Sequence, residues 1–293
     1  MQKITQLTSA WQQWIKDNLA SGCSHASLVE TMVRDNFDSA FAIASVYQFD
    51  ARGELQKPSN PLPQATSRDA SNTYVDEAPR MQHQCNVIHT NDRDVRLAFR
   101  IASPVVAVVE NLLSNEECEE LIRLSRIKLN RSTIVDPVTG REAVLKARSS
   151  DGTFFAINET DFIARLDRRI GEVMNWPVEN GEGLQILHYQ DGGEYKPHFD
   201  YFPPGDQGSQ SHVAKGGQRV STMVIYLNEV EAGGETVFPE LNLSVVPRAG
   251  SAVYFEYCNS LGQIDPRTLH GGLPVTAGEK WIATKWMRQH RYA

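Results

Sequence analysis

The stretch that most constrains the fold of this chain is residues 184–201, where two short alternating runs flank the turn Asp191-Gly192-Gly193. The second run ends in His198-Phe199-Asp200. Residues two positions apart in an extended strand point to the same face, so an imidazole and a carboxylate are expected side by side. They are two of the three ligands of a 2-His-1-carboxylate iron site. The pair alone is weak evidence, because a chain with eight histidines contains one His-x-Asp easily by chance.

Strand-like runs dominate the chain after about residue 86, and two amphipathic helices accompany them. One helix is expected to begin at the capping-box sequence Ser114-Asn115-Glu116-Glu117, and the other to end near Asn175. Strands are expected at Val105–Glu110, Val220–Leu227, Thr236–Phe238, Leu243–Val246, Ser251–Glu256 and Lys280–Met287. Short strands at regular spacing predict an α+β, mainly β fold, a jelly roll with buttressing helices. An ordinary β-sandwich without a site is the strongest alternative from the pattern alone.

Composition divides the chain into three predicted parts. Residues 1–49 carry apolar residues at helical spacing and predict a small helical module. This module is interpreted as a packing cap, with a substrate-recruiting role as the alternative. Residues 50–85 are rich in proline and polar residues, which is typical of a linker. Residues 86–293 are then the main, strand-rich domain.

Charge and cysteine usage narrow the cellular context. The formal net charge of −7 argues against general nucleic-acid binding. No stretch reaches the length of a signal-peptide core or a membrane span, so no membrane partner is expected. The four cysteines are scattered without a C-x-x-C pair, which favours a reducing, cytoplasmic location.

A third ligand for the predicted iron site is available at His270, within Leu269-His270-Gly271-Gly272. Because a jelly roll folds distant strands opposite each other, a histidine seventy residues after Asp200 can complete the site. Taken alone, His270 is better explained as a loop histidine that bonds to the backbone.

Lys280 begins a strand in which Lys280, Ile282, Thr284 and Trp286 share one face. If that face lines the interior, the ammonium needs an anionic partner, because burial of an unpaired charge is costly. A dicarboxylate co-substrate would supply one. The opposite orientation exposes Lys280 and buries Trp281, and the pattern leaves both open.

Ordered segments of the chain resemble the prolyl 4-hydroxylase family. They are residues 184–202, 217–222, 233–239, 270–275 and 280–286, with Arg148-Ser149-Ser150-Asp151-Gly152 as an early strand. The resemblance extends over about residues 97–291. It implies an iron(II)- and 2-oxoglutarate-dependent dioxygenase with a double-stranded β-helix. It also implies O2 as a co-substrate and ascorbate as a further ligand.

The resemblance also implies roles for individual residues. His198, Asp200 and His270 correspond to the iron ligands, and Lys280 to the partner of the distal carboxylate of 2-oxoglutarate. The other implied contacts are Tyr189, Thr236 and Trp286 for the co-substrate, and Arg219, Arg148 and Arg288 for the substrate. From the residues alone, Tyr189 is explained either by a hydroxyl that donates to a carboxylate or by core packing.

Two positions depart from the family pattern. Leu273 stands where eukaryotic relatives usually have a disulfide-bonded cysteine, which agrees with a reducing compartment. Arg288 stands where many relatives have a histidine that faces substrate, so a collagen-like specificity is not carried over.

The expected activity is hydroxylation of a prolyl residue in a peptide or protein, with release of succinate and CO2. The segment Arg131–Asp151 is predicted to act as a flap over the substrate groove. Two alternatives remain: an oxygenase that acts on a free small molecule, and a β module that binds metal or peptide without turnover. The sequence does not define the oligomeric state.

Overall fold

The computed structural model divides the chain into two compact units, Met1–Ser71 and Asn72–Ala293. The structure describes residues 4, 7–20, 23, 25–37, 42, 45–46, 74–81, 85–131, 134–135, 142–143, 149–203 and 207–292. Within these residues, no helix has both the length and the apolar character needed to cross a membrane.

Two helices of the first unit have bounds within the described residues, α1 (Ser9–Ala20) and α2 (His25–Arg34). Its core is a small apolar cluster that includes Ile15, Leu19, Leu28, Met32 and Phe37. Trp11 lies edge-on against both Trp14 and Phe37, at centroid distances of 4.9 Å. These helices agree with the expected helical module.

The second unit contains strands and three helices among the described residues. The helices are α3 (Asn115–Arg126), α4 (Asp161–Met174) and α5 (Gln207–Ala214). The strands are β1 (Val87–His89), β2 (Asp94–Ala102), β3 (Val105–Glu110), β4 (Asn130–Arg131), β5 (Ile134–Val135), β6 (Glu142–Ala143), β7 (Asp151–Phe155), β8 (Leu184–Tyr189), β9 (Tyr195–His198), β10 (Arg219–Tyr226), β11 (Ala232–Gly233), β12 (Thr236–Phe238), β13 (Leu243–Val245), β14 (Ala252–Glu256), β15 (His270–Gly272), β16 (Val275–Ala277) and β17 (Lys280–Arg288).

Two sheets form the jelly roll. The larger one has the strand order β1-β2-β3-β14-β10-β17-β8-β7-β4, and the smaller one has the order β13-β12-β15-β9. Every strand pair in both sheets is antiparallel. The predicted mainly β jelly roll is therefore confirmed, and most predicted strands begin and end within a residue of their observed bounds.

The two helices that were predicted from the sequence cover the outer face of the larger sheet. At the start of α3, the side chain of Ser114 accepts from the amide of Glu117, and Glu117 accepts from the amide of Ser114. This is the expected capping box, which satisfies two otherwise unpaired amides. Helix α4 ends at Asn175 in the left-handed conformation, at φ 52°. Apolar residues of both helices, such as Leu121 and Ile170, belong to the main core.

The alternation of side chains along β17 answers the question of its orientation. Lys280, Ile282, Thr284 and Trp286 line a cavity on the inner face of the sheet. Lys285 points the other way, where its ammonium donates to Asp167 of α4 at 2.7 Å. Since both faces of the strand are covered, all nine of its residues are buried.

The predicted domain boundaries stay a prediction, because most of the predicted linker lies outside the described residues. Its described end, residues 74–81, belongs to the second unit and hydrogen-bonds along residues 256–267. Most of the predicted flap, Arg131–Asp151, also lies outside the described residues. Arg148, which was expected to face substrate, is among the residues of the flap that are not described. Within the flap, β5 and β6 pair as an antiparallel hairpin.

Candidate active site

A cavity of about 350 Å³ lies between the two sheets and gathers most of the predicted site residues. Strands β8, β10 and β17 form its wall on the larger sheet, and β9, β12 and β15 form the opposite wall. The sequence-predicted residues that line it are His198, Asp200, His270, Lys280, Tyr189, Thr236, Trp286 and Arg219.

His198, Asp200 and His270 converge at one end of this cavity. Their potential ligand atoms all lie within 4.8 Å of one another. Nε2 of His198 is 3.5 Å from Oδ1 of Asp200, and Nε2 of His270 is 3.5 Å from Oδ2. The two histidines come from neighbouring antiparallel strands, and Asp200 follows β9 by two residues. The predicted meeting of these three side chains is therefore confirmed.

Gly271 allows the two histidine-bearing strands to approach closely. A Cβ at this position would lie 3.0 Å from the carbonyl oxygen of Tyr195 and 3.1 Å from the nitrogen of Pro197. Both neighbours are backbone atoms, which cannot move aside as the end of a flexible side chain can. A larger residue at 271 would therefore push His270 away from His198.

Backbone carbonyls fix the orientation of both imidazoles. Nδ1 of His198 lies 2.9 Å from the carbonyl oxygen of Lys196, and Nδ1 of His270 lies 3.0 Å from that of Thr268. Because a carbonyl only accepts, each Nδ1 must carry the hydrogen. With the hydrogen on Nδ1, Nε2 is the ring atom left to bind a metal, and in both rings it faces the space shared with the carboxylate, as in metal-binding histidines.

A chain of buried hydroxyls holds the carboxylate of Asp200. Oγ1 of Thr222 donates to Oδ2 at 2.7 Å, and the same oxygen lies 3.0 Å from the hydroxyl of Tyr257. Since a threonine hydroxyl has one hydrogen, Tyr257 must donate to Thr222. The chain therefore runs from Tyr257 through Thr222 to Asp200 and leaves Oδ1 turned towards His198.

Electrostatics favour the protonation states that a metal requires. Burial alone would raise the pKa of Asp200, but His270, His198 and Arg219 outweigh burial and hold that pKa well below its usual range. Burial lowers the pKa of His270 to about 4, against the opposing effect of Asp200. The site therefore presents an ionised carboxylate and a neutral His270 at pH 7, the forms that bind metal.

Lys280 lies in the same cavity, buried in its wall with 4% of its surface exposed. Its Nζ is 5.7 Å from the ring centre of Tyr189 and 5.9 Å from that of Tyr226. Within the described part of the chain, no carboxylate lies within ion-pair distance of Nζ. Burial lowers the pKa of Lys280 to about 8, partly opposed by the charge of Glu235. An anion in the cavity would be its natural partner.

Two hydroxyls beside Lys280 are also placed to donate. Tyr189 is the register partner of Lys280 on β8. Thr236 accepts a 2.8 Å hydrogen bond from the hydroxyl of Tyr226, which leaves its own hydrogen available. Lys280, Tyr189 and Thr236 thus form a donor group that suits a carboxylate.

Comparisons with known proteins agree with this geometry. Residues 184–288 match the model of the 2OG-Fe(II) oxygenase superfamily. The probable prolyl 4-hydroxylase 10 of Arabidopsis thaliana is 35% identical over 288 residues, which cover 92% of this chain and 94% of that protein. The chain belongs to the prolyl 4-hydroxylase family.

Two further relatives extend the comparison. Prolyl 4-hydroxylase 5 of Arabidopsis thaliana is 40% identical over 208 residues, covering 64% of this chain and 70% of that protein. The viral collagen prolyl hydroxylase of Paramecium Bursaria Chlorella virus-1, solved as a 2OG complex, is 29% identical with a TM-score of 0.50. The structural match covers 62% of this chain and 95% of the viral chain. As a family member, the chain is a 2-oxoglutarate-dependent dioxygenase.

The donor set fits the metal and co-substrate of a prolyl 4-hydroxylase. Two imidazoles and one ionised carboxylate match a 2-His-1-carboxylate iron(II) site with open positions. The buried ammonium of Lys280 fits one carboxylate of a dicarboxylate ligand. The residues present therefore suit iron(II) and 2-oxoglutarate together, as the family resemblance implied.

The two described arginines that were expected to face substrate differ in position. Arg219 lines the cavity, but its guanidinium is held by Glu182 through bonds of 2.6 and 2.9 Å. It also stacks over Trp286, with Cζ 3.9 Å from the ring centre. Trp286 thus forms a cavity wall, as expected, and Arg219 supports that wall.

The prediction for Arg288 needs correction. Its side chain is 2% exposed and does not line the cavity. Nε lies 2.8 Å from Oε1 of Glu182, and a terminal nitrogen donates to the carbonyl of Gly217 at 2.5 Å. The carboxylate of Glu182 attracts the guanidinium and keeps it out of the cavity. Strand alternation alone places Arg288 on the same face as Lys280 and Trp286 and does not predict this ion pair. Arg288 therefore reaches the site through its neighbours: Glu182, and Phe202 of the cavity wall, whose ring centre lies 4.9 Å from Cζ.

Sequence reasoning missed the residues that orient the site. Thr222 and Tyr257 hold Asp200, and Glu182 holds Arg219. A signal was present for Thr222, whose parity on β10 places it among the inward residues. For Tyr257 and Glu182 the sequence offers no local pattern, because their contacts join segments far apart in the chain.

Proposed function

We propose that this chain hydroxylates a prolyl residue in a peptide or protein, in a reaction that requires iron(II), 2-oxoglutarate and O2. One observation carries the proposal: a single cavity contains the His-Asp-His group and a buried lysine whose charge no nearby described carboxylate neutralises. The curated relatives named as prolyl 4-hydroxylases support the choice of proline as the target.

In this proposal His198, Asp200 and His270 hold the iron, and backbone carbonyls keep the two imidazoles in the metal-binding tautomer. Lys280 pairs with the distal carboxylate of 2-oxoglutarate. Tyr189 and Thr236 donate hydrogen bonds to the same ligand. The bound iron and co-substrate supply activation of O2, conversion of 2-oxoglutarate to succinate and CO2, and transfer of one oxygen atom to a substrate carbon.

Aromatic residues on the substrate side of the cavity bind the polypeptide and exclude water. Phe154 is 54% exposed although it lines the cavity, and Tyr195 and Phe199, which also line it, are half-buried. Aromatic surface that is exposed in the free protein suits contact with an apolar ring such as that of proline. Covering these rings with substrate shields the reacting centre from water.

Two finer assignments belong to the same proposal. Ascorbate is proposed to sustain turnover as a reductant, which is tested by comparing total turnovers with and without it.

A cytoplasmic location is proposed from the four free cysteines and from Leu273. Fractionation of cells that express a tagged full-length chain tests the location, and recovery of the chain in an oxidising compartment would refute it.

A library of proline-containing peptides, analysed by mass spectrometry, tests the substrate class. We expect one added oxygen atom on proline only when iron(II), 2-oxoglutarate and O2 are all present. Asp200→Ala serves as the matched inactive control. Succinate formation stimulated by free metabolites, with no peptide modified, would support a small-molecule oxygenase instead. No succinate under any condition would support a β module without turnover.

A further inference from the structure

The 257–269 loop, which joins β14 to β15, contacts one proposed iron ligand directly and is linked to a second through one residue of β10. At its beginning, the hydroxyl of Tyr257 is linked to Asp200 through one intervening threonine hydroxyl. At its end, the carbonyl of Thr268 lies 3.0 Å from Nδ1 of His270. The position of this loop therefore sets the orientation of both ligands.

Asp265 connects the two ends of the 257–269 loop. Its amide donates to the carbonyl of Tyr257 at 2.9 Å, and its carbonyl accepts from the hydroxyl of Thr268 at 2.8 Å. Its carboxylate, with 1% of the side chain exposed, accepts from Nε of Arg267 at 2.8 Å and from a terminal nitrogen at 2.7 Å. Two parallel charged bonds of this kind fix direction as well as distance.

Arg267 is in turn held from outside the loop. A terminal nitrogen donates to Asp76 at 2.7 Å, and the other donates to the hydroxyl of Ser103 at 2.9 Å. Its side chain is 38% exposed, and it does not line the cavity. Its guanidinium thus joins the loop to two other segments without lining the cavity.

We call residues 74–81 the strap, because they lie along the same loop without helix or strand structure. The amide of Val75 donates to the side chain of Gln263 at 2.9 Å. The carboxylate of Glu77 accepts from the amide of Ser260 at 3.0 Å and from its hydroxyl. The strap therefore supports the outer side of the loop whose inner side orients the ligands.

We propose that Arg267 is a positioning residue for the iron site, and that the strap acts with it through Asp76. Arg267 holds Asp265, which keeps the carbonyl of Thr268 in place to orient His270. The inference rests on the proposed function insofar as the three ligands bind a metal. Arg267 would thus affect the iron site although it does not line the cavity. The strap would affect metal affinity through Asp76.

Mn(II) affinity and the ring nitrogens of the histidines provide the test in the full-length chain. Free Mn(II) is measured by electron paramagnetic resonance, and ring tautomers of the metal-free protein by long-range ¹H–¹⁵N spectra. We expect Arg267→Ala to weaken Mn(II) binding about 3- to 10-fold, below the 10–100-fold cost of losing a direct partner of a ligand. His270 should show mixed tautomers while His198 stays unchanged. Arg123→Ala, which removes an exposed ion pair, should change neither.

Two further variants keep the inference testable if Arg267→Ala does not fold. Arg267→Lys retains one charged donor and should lie between wild type and the alanine variant. Asp76→Asn removes only the negative charge of the acceptor on the strap and should shift the His270 signals in the same direction. Unchanged Mn(II) affinity, or equal changes at His198 and His270, would overturn the inference. A wild-type chain that binds Mn(II) but modifies no peptide would refute prolyl hydroxylation and leave this inference standing.

Discussion

His198 and His270 are register partners on adjacent antiparallel strands, and their ring centres lie 4.4 Å apart. Together with Asp200 they form the proposed iron site. We expect His270→Ala and Asp200→Ala each to lower turnover by more than about 100-fold, because even partners of ligands contribute 10–100-fold. Mn(II) binding should fall in parallel, while the circular dichroism spectrum stays that of the wild type. Full activity of the His270 variant would contradict the ligand assignment.

Thr222 is expected to affect the metal site through Asp200. Thr222→Val keeps the shape of the side chain but removes the donor at 2.7 Å from Oδ2 of Asp200. We predict about 10-fold weaker metal binding. This is the lower end of the 10–100-fold loss of metal affinity that follows removal of a hydrogen-bond partner of a metal ligand. Thr222→Ser keeps the hydroxyl and is the matched control. Equal Mn(II) affinity in both variants would show that the hydroxyl does not orient the carboxylate.

Lys280→Ala should chiefly impair the use of 2-oxoglutarate. A hydrogen bond to a charged group contributes about 1.5–3 kcal/mol, so the Michaelis constant for 2-oxoglutarate should rise roughly 10- to 150-fold. Mn(II) affinity without co-substrate should be nearly unchanged. Lys280→Arg is a poor control, because a planar guanidinium differs from a compact ammonium. A variant with normal 2-oxoglutarate dependence would place the distal carboxylate elsewhere.

The pKa of Lys280 gives stability and ligand binding opposite dependences on pH. Burial lowers this pKa from 10.5 to about 8, so between these values the unfolded chain holds a proton that the folded chain has released. The contribution of Lys280 to the free energy of unfolding therefore rises with pH across this window. Affinity for 2-oxoglutarate should fall in the same window, because the ammonium is lost.

Chemical denaturation and calorimetric titration from pH 7 to about 10 check both trends, the upper limit being set by the ordinary lysine pKa. Lys280→Met should remove both the rise in the free energy of unfolding with pH and the fall in affinity for 2-oxoglutarate with pH. If the affinity of the wild type for 2-oxoglutarate did not fall above the pKa of Lys280, the proposed ion pair would be wrong.

Glu182 pairs with the partly buried Arg219 and the buried Arg288, so its replacement should affect stability. Burial opposes ionisation of Glu182, but Arg219 and Arg288 outweigh it and hold its pKa below the usual range. Glu182→Gln removes the carboxylate that pairs with both guanidinium groups, which should lower the free energy of unfolding by roughly 3 kcal/mol. Urea denaturation measures this change. Glu120→Gln removes a surface partner of Arg123 and should leave stability nearly unchanged.

The residues that form the site were largely predictable from local periodicity and family motifs. Alternation along β17 placed Lys280 and Trp286 on one face, and the structure puts both in the cavity. The order of strands in a jelly roll allowed His270 to meet His198. These inferences succeed because side-chain direction in a strand depends only on position along the chain.

The residues that orient the site were not predictable in this way. The contact between Thr222 and Tyr257 depends on the pairing of β10 with β14, in which Thr222 lies opposite Phe255. The burial of Arg288 depends on a carboxylate more than a hundred residues away, at Glu182. Such contacts follow from tertiary packing and electrostatics, which a single sequence does not specify.

The most direct test of prolyl hydroxylation is a reaction of the wild-type chain with a proline-containing peptide under ¹⁸O2. We expect one ¹⁸O atom on the prolyl ring for each succinate formed, with both products absent for Asp200→Ala. Succinate without labelled peptide, or peptide oxidation that persists in the Asp200 variant, would contradict the assignment of this cavity as a prolyl hydroxylase site.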